Sequence, residues 1–257
     1  MCVIAFAWQV HPRWRLLLAG NRDEFHARPS AALARWDDAP ILAGRDLQAG
    51  GSWLGVSDAG RCAVVTNVRD PRDPQLGASR GLLIRDYLTG AEDAAAHAQH
   101  LLRVAADYRP FNLLTFDAQA AFYLGNRPEP QAQAVTPGVH GLSNADFDTP
   151  WPKTRVLMQR LQRWIDDGND TDFAALFAAL ADEQPAPDAQ LPDTGVGLEL
   201  ERRLSSAFIR GADYGTRAST VVAIGHDGAG VIAERRFGPN ASYLGETLLR
   251  FGSPAPA

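Results

Sequence analysis

The chain has 257 residues, 46% of them hydrophobic, which allows one large domain or two small ones with a substantial core. Its net charge of −5 at pH 7 gives no general electrostatic drive toward nucleic acid or anionic membranes, although a local basic patch remains open, and no nucleic-acid partner is expected. Two cysteines are too few for a disulfide framework, and no stretch approaches the ~20 consecutive apolar residues of a membrane-spanning helix. We expect a soluble, cytoplasmic protein with reduced thiols and no integral membrane segment.

The predicted elements alternate between groups of strands and pairs of helices. Apolar runs over residues 3–9 and 13–19 predict two adjacent strands, whereas residues 25–40 are irregular and predict a surface loop. The remaining predicted strands follow in chain order at 52–57, 61–67, 111–117, 121–126, 139–144, 218–225, 230–237 and 243–251. The predicted helices cover 79–88, 91–108, 153–167 and 171–180. This order favours an α+β fold with antiparallel sheets, in one domain over residues 1–252 with a frayed tail at 253–257.

Cys2 directly follows the initiator methionine, on the first apolar run. If Met1 is removed, Cys2 carries both a thiol and a free α-amine. The thiolate is a nucleophile, and an α-amine with a reference pKa near ~8 can act as its base. The alternative is that Cys2 is simply a small buried hydrophobic residue, which is the interpretation we favour for Cys62.

A dense polar cluster, Asn21-Arg22-Asp23-Glu24, ends the second predicted strand. Two adjacent antiparallel strands would bring it close to Cys2, where an aspartate could hold the α-ammonium and an arginine could lower the thiol pKa. Strand alternation sends Asn21 and Asp23 to one face and Arg22 and Glu24 to the other. We expect Asp23 to face Cys2, although the cluster could equally be an ordinary solvated turn.

These residues resemble the NRDE-domain family, also called the transport and Golgi organisation family. Met1-Cys2 and Asn21-Arg22-Asp23-Glu24 match it, as do GGSWLG at 50–55, TNVR at 66–69, GLSN at 141–144 and YGTRAST at 214–220. That family is in turn similar to N-terminal nucleophile hydrolases of the choloylglycine and penicillin V acylase type. The resemblance implies a four-layer αββα sandwich with Cys2 as nucleophile.

The resemblance also implies roles for residues far along the chain. Asp23 would hold the terminal amine, Asn67 and Asn144 would be oxyanion-hole or amine-positioning donors, and Arg217 would lie near the thiol. The residues that we expect to contact substrate are Asn21, Arg22, Trp53 and Arg69. From the residues alone, either asparagine could instead be a turn or cap residue, and Arg217 could be an edge charge.

One position departs from the hydrolase pattern, which places an arginine three residues before the aspartate. This chain has Gly20 there, so the identity of the arginine that serves the thiol stays open. His97 and His100 have a spacing that could chelate a metal, but no third ligand lies nearby in sequence. We expect neither a metal nor a cofactor.

Three hypotheses follow. The leading one is a cysteine hydrolase that cleaves a small-molecule amide or related acyl bond. The second is a protein of the same fold that binds or carries a small molecule, such as haem or an acyl lipid, without cleaving it, since the family resemblance implies haem handling and Golgi or lipid homeostasis. The third is an interaction protein without cleft chemistry. The sequence predicts no oligomeric state.

Overall fold

The computed structural model describes residues 2–72 and 76–252. The strands within these residues are β1 Cys2–Trp8, β2 Trp14–Phe25, β3 Ser30–Arg35, β4 Ile41–Asp46, β5 Leu54–Ser57, β6 Cys62–Asn67, β7 Phe111–Phe116, β8 Ala121–Gly125, β9 Gln131–Ala134, β10 Gly138–Leu142, β11 Tyr214–Gly225, β12 Gly230–Phe237 and β13 Tyr243–Phe251. The α-helices are α1 Gly81–Thr89, α2 Ala94–Val104, α3 Pro152–Asp166, α4 Ala174–Leu180 and α5 Leu198–Arg203. The tail predicted at 253–257 lies outside the described residues.

The strands form two antiparallel sheets. The first sheet has the order β10-β1-β2-β11-β12-β13, so that β1 and β2 from the start of the chain pair with strands from its middle and end. The second sheet, β3 to β9, follows chain order as a meander. The non-local order of the first sheet brings together three segments that carry the family resemblance, namely Cys2, the cluster at 21–24 and the block at 214–220, on the neighbouring strands β1, β2 and β11.

Side-chain alternation along β1 explains the layers. Its even-numbered residues, such as Ile4 and Phe6, pack against the second sheet, whereas Val3 and Ala5 pack against α3 and α4. Because both faces of β1 are covered, its sequence is an unbroken apolar run. Helices α1 and α2 cover the outer face of the second sheet. The predicted α+β, four-layer αββα sandwich is therefore confirmed. In the described ranges, no helix combines the length and the apolar character that crossing a bilayer requires.

The predicted loop over residues 25–40 is wrong in part, because β2 extends to Phe25 and β3 occupies Ser30–Arg35. Strand β3 lies at the edge of the second sheet, and Leu33 is its one buried residue. An edge strand that buries a single side chain has no apolar alternation for a sequence pattern to detect. Its pairing with β4 is set by the tertiary structure instead.

Candidate functional site

Cys2 begins β1, and it lies directly opposite Arg22 of β2 in the strand register. Its side chain is 6% exposed and faces the space between the two sheets. There it lines a cleft of about 200 Å³, which we call the Cys2 cleft, together with Trp53 and Asn67. The fold thus brings four of the predicted site residues, Cys2, Arg22, Trp53 and Asn67, to one cleft.

The glycine that replaces the expected arginine lies in a tightly packed position. A Cβ atom on Gly20 would lie 3.1 Å from Ile4 Cγ1 and 3.3 Å from the ring of Trp53. The space that an arginine at position 20 would need is therefore filled by Trp53. Arg22, two cross-strand pairs further along, supplies a cation on the same face of the sheet as Cys2.

Arg22, rather than Asp23, shares the face of Cys2, so the expected facing of these two residues is corrected. The Cys2–Arg22 pair is in register, and alternation turns Asp23 toward the helix layer. The Asp23 carboxylate is buried and accepts a hydrogen bond of 2.7 Å from the Thr216 hydroxyl. Asp23 nevertheless interacts with Cys2 through its main chain, because its backbone N–H donates a hydrogen bond to the thiol.

A β-bulge in β11 places Arg217 opposite the Arg22–Asp23 step of β2. Asp23 is opposite Thr216 and Arg22 is opposite Ala218, which leaves Arg217 as the additional residue. The Arg217 guanidinium lines the Cys2 cleft and donates to the carbonyl oxygens of Phe25 at 2.9 Å and Arg28 at 3.0 Å. Arg217 therefore holds the turn after β2 as well as adding positive charge to the Cys2 cleft.

The electrostatic balance at Cys2 favours the protonated thiol. Burial raises the pKa of Cys2, and the Asp23 carboxylate raises it further, whereas Arg22 and the Asp23 backbone N–H lower it. Burial likewise raises the pKa of Asp23, with Lys153 as the strongest opposing charge. The Cys2 thiol needs a base before it can act as a nucleophile at neutral pH.

Asn144 and Ser143 tie the start of the chain to the loop after β10. Asn144 Oδ1 accepts from the Cys2 backbone N–H at 3.5 Å, and Ser143 Oγ donates to the Cys2 carbonyl oxygen at 2.7 Å. Asn144 Nδ2 also donates to Asn67, at 2.9 Å to its carbonyl oxygen and 3.0 Å to Oδ1. One amide thus links the backbone of the candidate nucleophile to the side chain that lines the cleft.

Two residues predicted to contact substrate lie elsewhere. Asn21 points into the helix layer, where its amide donates to the carbonyl oxygens of Leu180 and Ala207 at 2.8 Å and accepts from Ser219 Oγ at 2.6 Å. These three bonds use the Asn21 amide to hold α4 and the loop after α5 on the sheet.

Arg69 is the second of these residues. Its guanidinium forms a buried ion pair of 2.5 Å with Glu201 and lies 4.6 Å above the ring of Trp151. An arginine held this way by a carboxylate and an aromatic face braces α5 against β6. Asn21 and Arg69 are structural residues of the site's surroundings rather than lining residues of the Cys2 cleft.

The Cys2 cleft is rich in arginine. Seven arginines line it, namely Arg22, Arg28, Arg45, Arg80, Arg109, Arg217 and Arg236, against four acidic residues, Asp23, Glu24, Asp46 and Glu234. Arg28 is paired with Asp46 at 2.6 Å, whereas Arg236 donates to the backbone carbonyl of Leu244 at 3.1 Å. The surplus of guanidinium groups gives a locally cationic cleft on a chain of net negative charge.

Sequence reasoning missed Lys153, Arg236 and Glu234. The last two alternate with residues of the helix face of β12, a strand whose cleft face is recognisable only once the sheets are stacked. Lys153 did leave a signal in the composition, because it is the single lysine among 25 basic residues of the chain. Within the part of the chain that the structure describes, no three histidine, cysteine or acidic side chains are grouped to hold a metal ion.

Comparisons with solved structures agree with this architecture. The Caenorhabditis elegans N-acylethanolamine-hydrolyzing acid amidase ortholog aligns with a TM-score of 0.50 and 10% identity, over 86% of this chain and 92% of its own. The C2A mutant of conjugated bile acid hydrolase from Clostridium perfringens aligns with a TM-score of 0.52 and 7% identity, over 97% of this chain and 92% of its own. At these identities the likeness shows a shared N-terminal nucleophile hydrolase type of fold.

Sequence comparisons are more specific. The model of the Transport and Golgi organisation 2 family matches residues 1–239. Transport and Golgi organization protein 2 homologs from Bos taurus and Homo sapiens are 35% and 34% identical over 255 residues, covering 91% of this chain and 92% of theirs. The Drosophila melanogaster protein is 26% identical over 87% of this chain and 88% of its own. The chain therefore belongs to the Transport and Golgi organisation 2 family.

Proposed function

We propose that this protein is a cysteine hydrolase of the N-terminal nucleophile type, which cleaves a linear amide or related acyl bond through Cys2 after removal of Met1. The observation that carries this proposal is the surroundings of the Cys2 backbone nitrogen. Asn144 Oδ1 lies 3.5 Å from that nitrogen, Asp23 is buried next to Arg22, the cross-strand partner of Cys2, and the thiol opens onto the Cys2 cleft. An aminothiol at this point would have an acceptor for its amine and a cleft for its thiol.

In the proposed mechanism the neutral α-amine of Cys2 accepts the thiol proton, and the thiolate attacks the carbonyl carbon of the substrate. The tetrahedral intermediate collapses as the α-ammonium returns the proton to the departing amine, leaving an acyl-thioester on Cys2. Water then attacks the thioester with the α-amine again as base, which releases the acid and restores the thiol. Asp23 and Asn144 hold the amine in position through this cycle.

Asn67 is the better placed of the two asparagines to stabilise the oxyanion. It lines the Cys2 cleft, whereas Asn144 uses its amide to bind the Cys2 backbone and Asn67. Both Asn67 side-chain atoms are oriented by neighbours, with Asn144 donating to Oδ1 and Nδ2 donating to the Val68 carbonyl over a long 3.3 Å. A donor held before the reaction begins is what stabilises a developing negative charge.

The cleft also indicates a substrate class. Arg217 and Arg236 add positive charge along its wall, so we propose an amide or acyl compound that carries a carboxylate or phosphate group. The two structural neighbours are named as an amidase and a bile acid hydrolase, which agrees with amide or acyl chemistry on this fold. We place the reaction in the cytoplasm, as the reduced thiols Cys2 and Cys62 favour.

Labelling with a thiol-directed acyl probe tests the proposal. We expect the wild-type protein and Cys62→Ala to be acylated, because Cys62 is fully buried and burial raises its pKa far above neutral. Cys2→Ala should lose the label completely. Labelling that is unchanged in Cys2→Ala would contradict the proposal, whatever the behaviour of the Cys62 variant.

A second candidate is a carrier that binds its ligand in the same cleft without cleaving it. The elevated pKa of Cys2, caused by burial, favours this role, since a protonated thiol is a weak nucleophile. The cationic wall would suit the carboxylates of haem or the head of an acyl lipid. Titration of wild-type protein and Cys2→Ala with haem and with a fatty acid distinguishes the two, because the carrier binds micromolar ligand with no acyl-enzyme formed.

A further inference from the structure

Lys153 is the only lysine of the chain, and all 24 other basic residues are arginines. Its side chain is buried, with the residue 5% exposed, and its Nζ has no hydrogen-bond partner among the described residues. A buried ammonium without partners is costly, and most proteins place lysine at the surface. This free-energy cost, carried by the one lysine of the chain, indicates that its charge has a role in the neighbouring Cys2 site.

The start of α3 carries Lys153 to the underside of that site. Helix α3 packs so closely on β10 that a Cβ atom on Gly141 would lie 2.3 Å from Thr154 Cγ2, which fixes the first turn of the helix beside β1. Lys153 is the second residue of this helix. Its position is therefore set by backbone packing and does not depend on a flexible loop.

Four charged or titratable groups interact electrostatically with Lys153 from the elements around it. They are Cys2 at the start of β1, Asp23 on β2, Arg69 after β6 and Glu201 on α5. Arg69 and Glu201 neutralise one another in their ion pair of 2.5 Å. The interaction that is left to the ammonium is with Asp23 and Cys2, and Lys153 is the strongest counter-charge of the Asp23 carboxylate.

We propose that Lys153 is a positioning residue of the Cys2 site, whose buried ammonium keeps Asp23 ionised and favours the thiolate of Cys2. In the free enzyme the positive charge also disfavours protonation of the Cys2 α-amine, which leaves that amine available as a base. This assignment rests on the proposed function for its catalytic meaning. The effect on the thiol itself exists whether or not the protein turns over a substrate.

The choice of lysine over arginine has a physical basis. An arginine stays protonated and needs up to five hydrogen-bond acceptors, whereas a lysine is compact and its charge responds to its surroundings. Burial lowers the pKa of Lys153 to about 8, with Asp23 and Cys2 acting in the opposite direction. The ammonium is thus retained at neutral pH because its two anionic or potentially anionic neighbours support it.

Because the chain has one lysine, its titration can be observed without assignment. Protein grown with [ε-¹³C]lysine should give a single resonance that titrates well below the pH of an exposed lysine. Replacing Cys2 by alanine removes a potential anion, so the midpoint should move to lower pH, and Asp23→Asn should move it further. A midpoint that is the same in wild type, Cys2→Ala and Asp23→Asn would overturn the proposal, even if no Lys153 variant folds.

The reciprocal effect is measured by the pH dependence of Cys2 alkylation with iodoacetamide in the Cys62→Ala background. With Lys153→Met we expect the midpoint to rise and alkylation at neutral pH to slow about tenfold for each unit of pKa. Lys153→Arg, which keeps the charge, should restore most of the rate if it folds. A Lys153→Met profile that superimposes on wild type would overturn the proposal.

The same data separate this inference from the proposed function. A shifted alkylation profile in a protein that never forms an acyl-enzyme would retain Lys153 as a charge-setting group and reject the hydrolase. An acyl-enzyme that forms at the same rate and pH in Lys153→Met and wild type would retain the hydrolase and reject the role of Lys153.

Discussion

The two faces of the first sheet treat polar groups in opposite ways around Cys2. On the helix face, Asn21 and Asp23 are buried and hydrogen-bonded to other groups of the protein, and Lys153 is also buried. On the cleft face, Arg22 and Arg236 line the Cys2 cleft of about 200 Å³. In the proposed function, the helix face sets the charge and position of Cys2, whereas the cleft face binds the substrate.

The largest effect is expected at Asn67, which we assign to the cleft face as the oxyanion donor. Asn67→Ala should lower kcat by ~10²- to 10³-fold with little change in KM, because the interaction is made in the transition state. Steady-state kinetics with the substrate found by acyl labelling would measure it. The matched control is Asn126→Ala, which removes a buried asparagine that binds Ala105 and Phe111 but does not line the cleft. Equal losses of kcat in both variants would contradict the assignment.

The second prediction concerns the stability cost of Lys153. Burial lowers the pKa of Lys153 from 10.5 to about 8, a shift equivalent to about 3 kcal/mol of unfolding free energy at neutral pH. Below pH 8 both folded and unfolded states are protonated, so the full penalty is present. Between pH 8 and 10.5 only the unfolded state keeps the proton, so the penalty falls as the pH rises.

Lys153→Met should therefore be more stable than wild type at pH 7, with a difference that shrinks toward pH 10.5. Chemical denaturation at a series of pH values would measure it. A variant that is less stable than wild type at pH 7 would show that the ammonium makes a net favourable interaction in the folded state. The helix face would then stabilise the charge of Lys153 instead of imposing a cost on it.

Asn21 tests the helix face from the structural side. Asn21→Ala leaves the Leu180 and Ala207 carbonyl oxygens without their donor, and we expect it to lower the free energy of unfolding by about 2 kcal/mol. Because Asn21 does not reach the cleft, KM should not change. A large rise in KM at unchanged stability would restore Asn21 to the substrate-binding residues that its sequence motif suggests.

The smallest expected effect lies at the far wall of the cleft. Arg236→Met should raise KM for an anionic substrate by about tenfold, with a weaker dependence of KM on salt than in wild type. Arg235→Met is the matched control, because Arg235 is the adjacent arginine but faces the helix layer, where it lies 4.1 Å above the Phe177 ring. If the two variants raise KM equally, the charge of the cleft wall is not what selects the substrate.

Much of this architecture can be predicted from the sequence because apolar runs and a specific set of motifs cover nearly the whole chain. The strands that carry Cys2 and Asp23, the paired helices and the layered α+β fold all follow from local patterns. The edge strand β3 does not, since one buried leucine leaves no alternation. Which of Arg22 and Asp23 shares the face of Cys2 depends on the register of β1 against β2, which sequence alternation alone does not determine.

Lys153 shows most clearly which features of the site the sequence alone does not predict. Its helix is predictable, and its uniqueness is visible in the composition, but its proximity to Asp23 arises from the packing of α3 across strands more than a hundred residues away in sequence. The same holds for the link from Asn144 to Cys2, which spans 142 residues. Long-range contacts of this kind are created by the non-local strand order of the first sheet.

The central claim, that Cys2 is a nucleophile with its own α-amine as base, is tested most directly by intact mass. Purified protein would be mixed with an activated acyl ester, quenched in acid during turnover, and weighed. We predict a chain that lacks Met1 and carries one acyl group, lost in Cys2→Ala and kept in Cys62→Ala. A chain that retains Met1 and still forms the same adduct, or an adduct that survives in Cys2→Ala, would contradict the account.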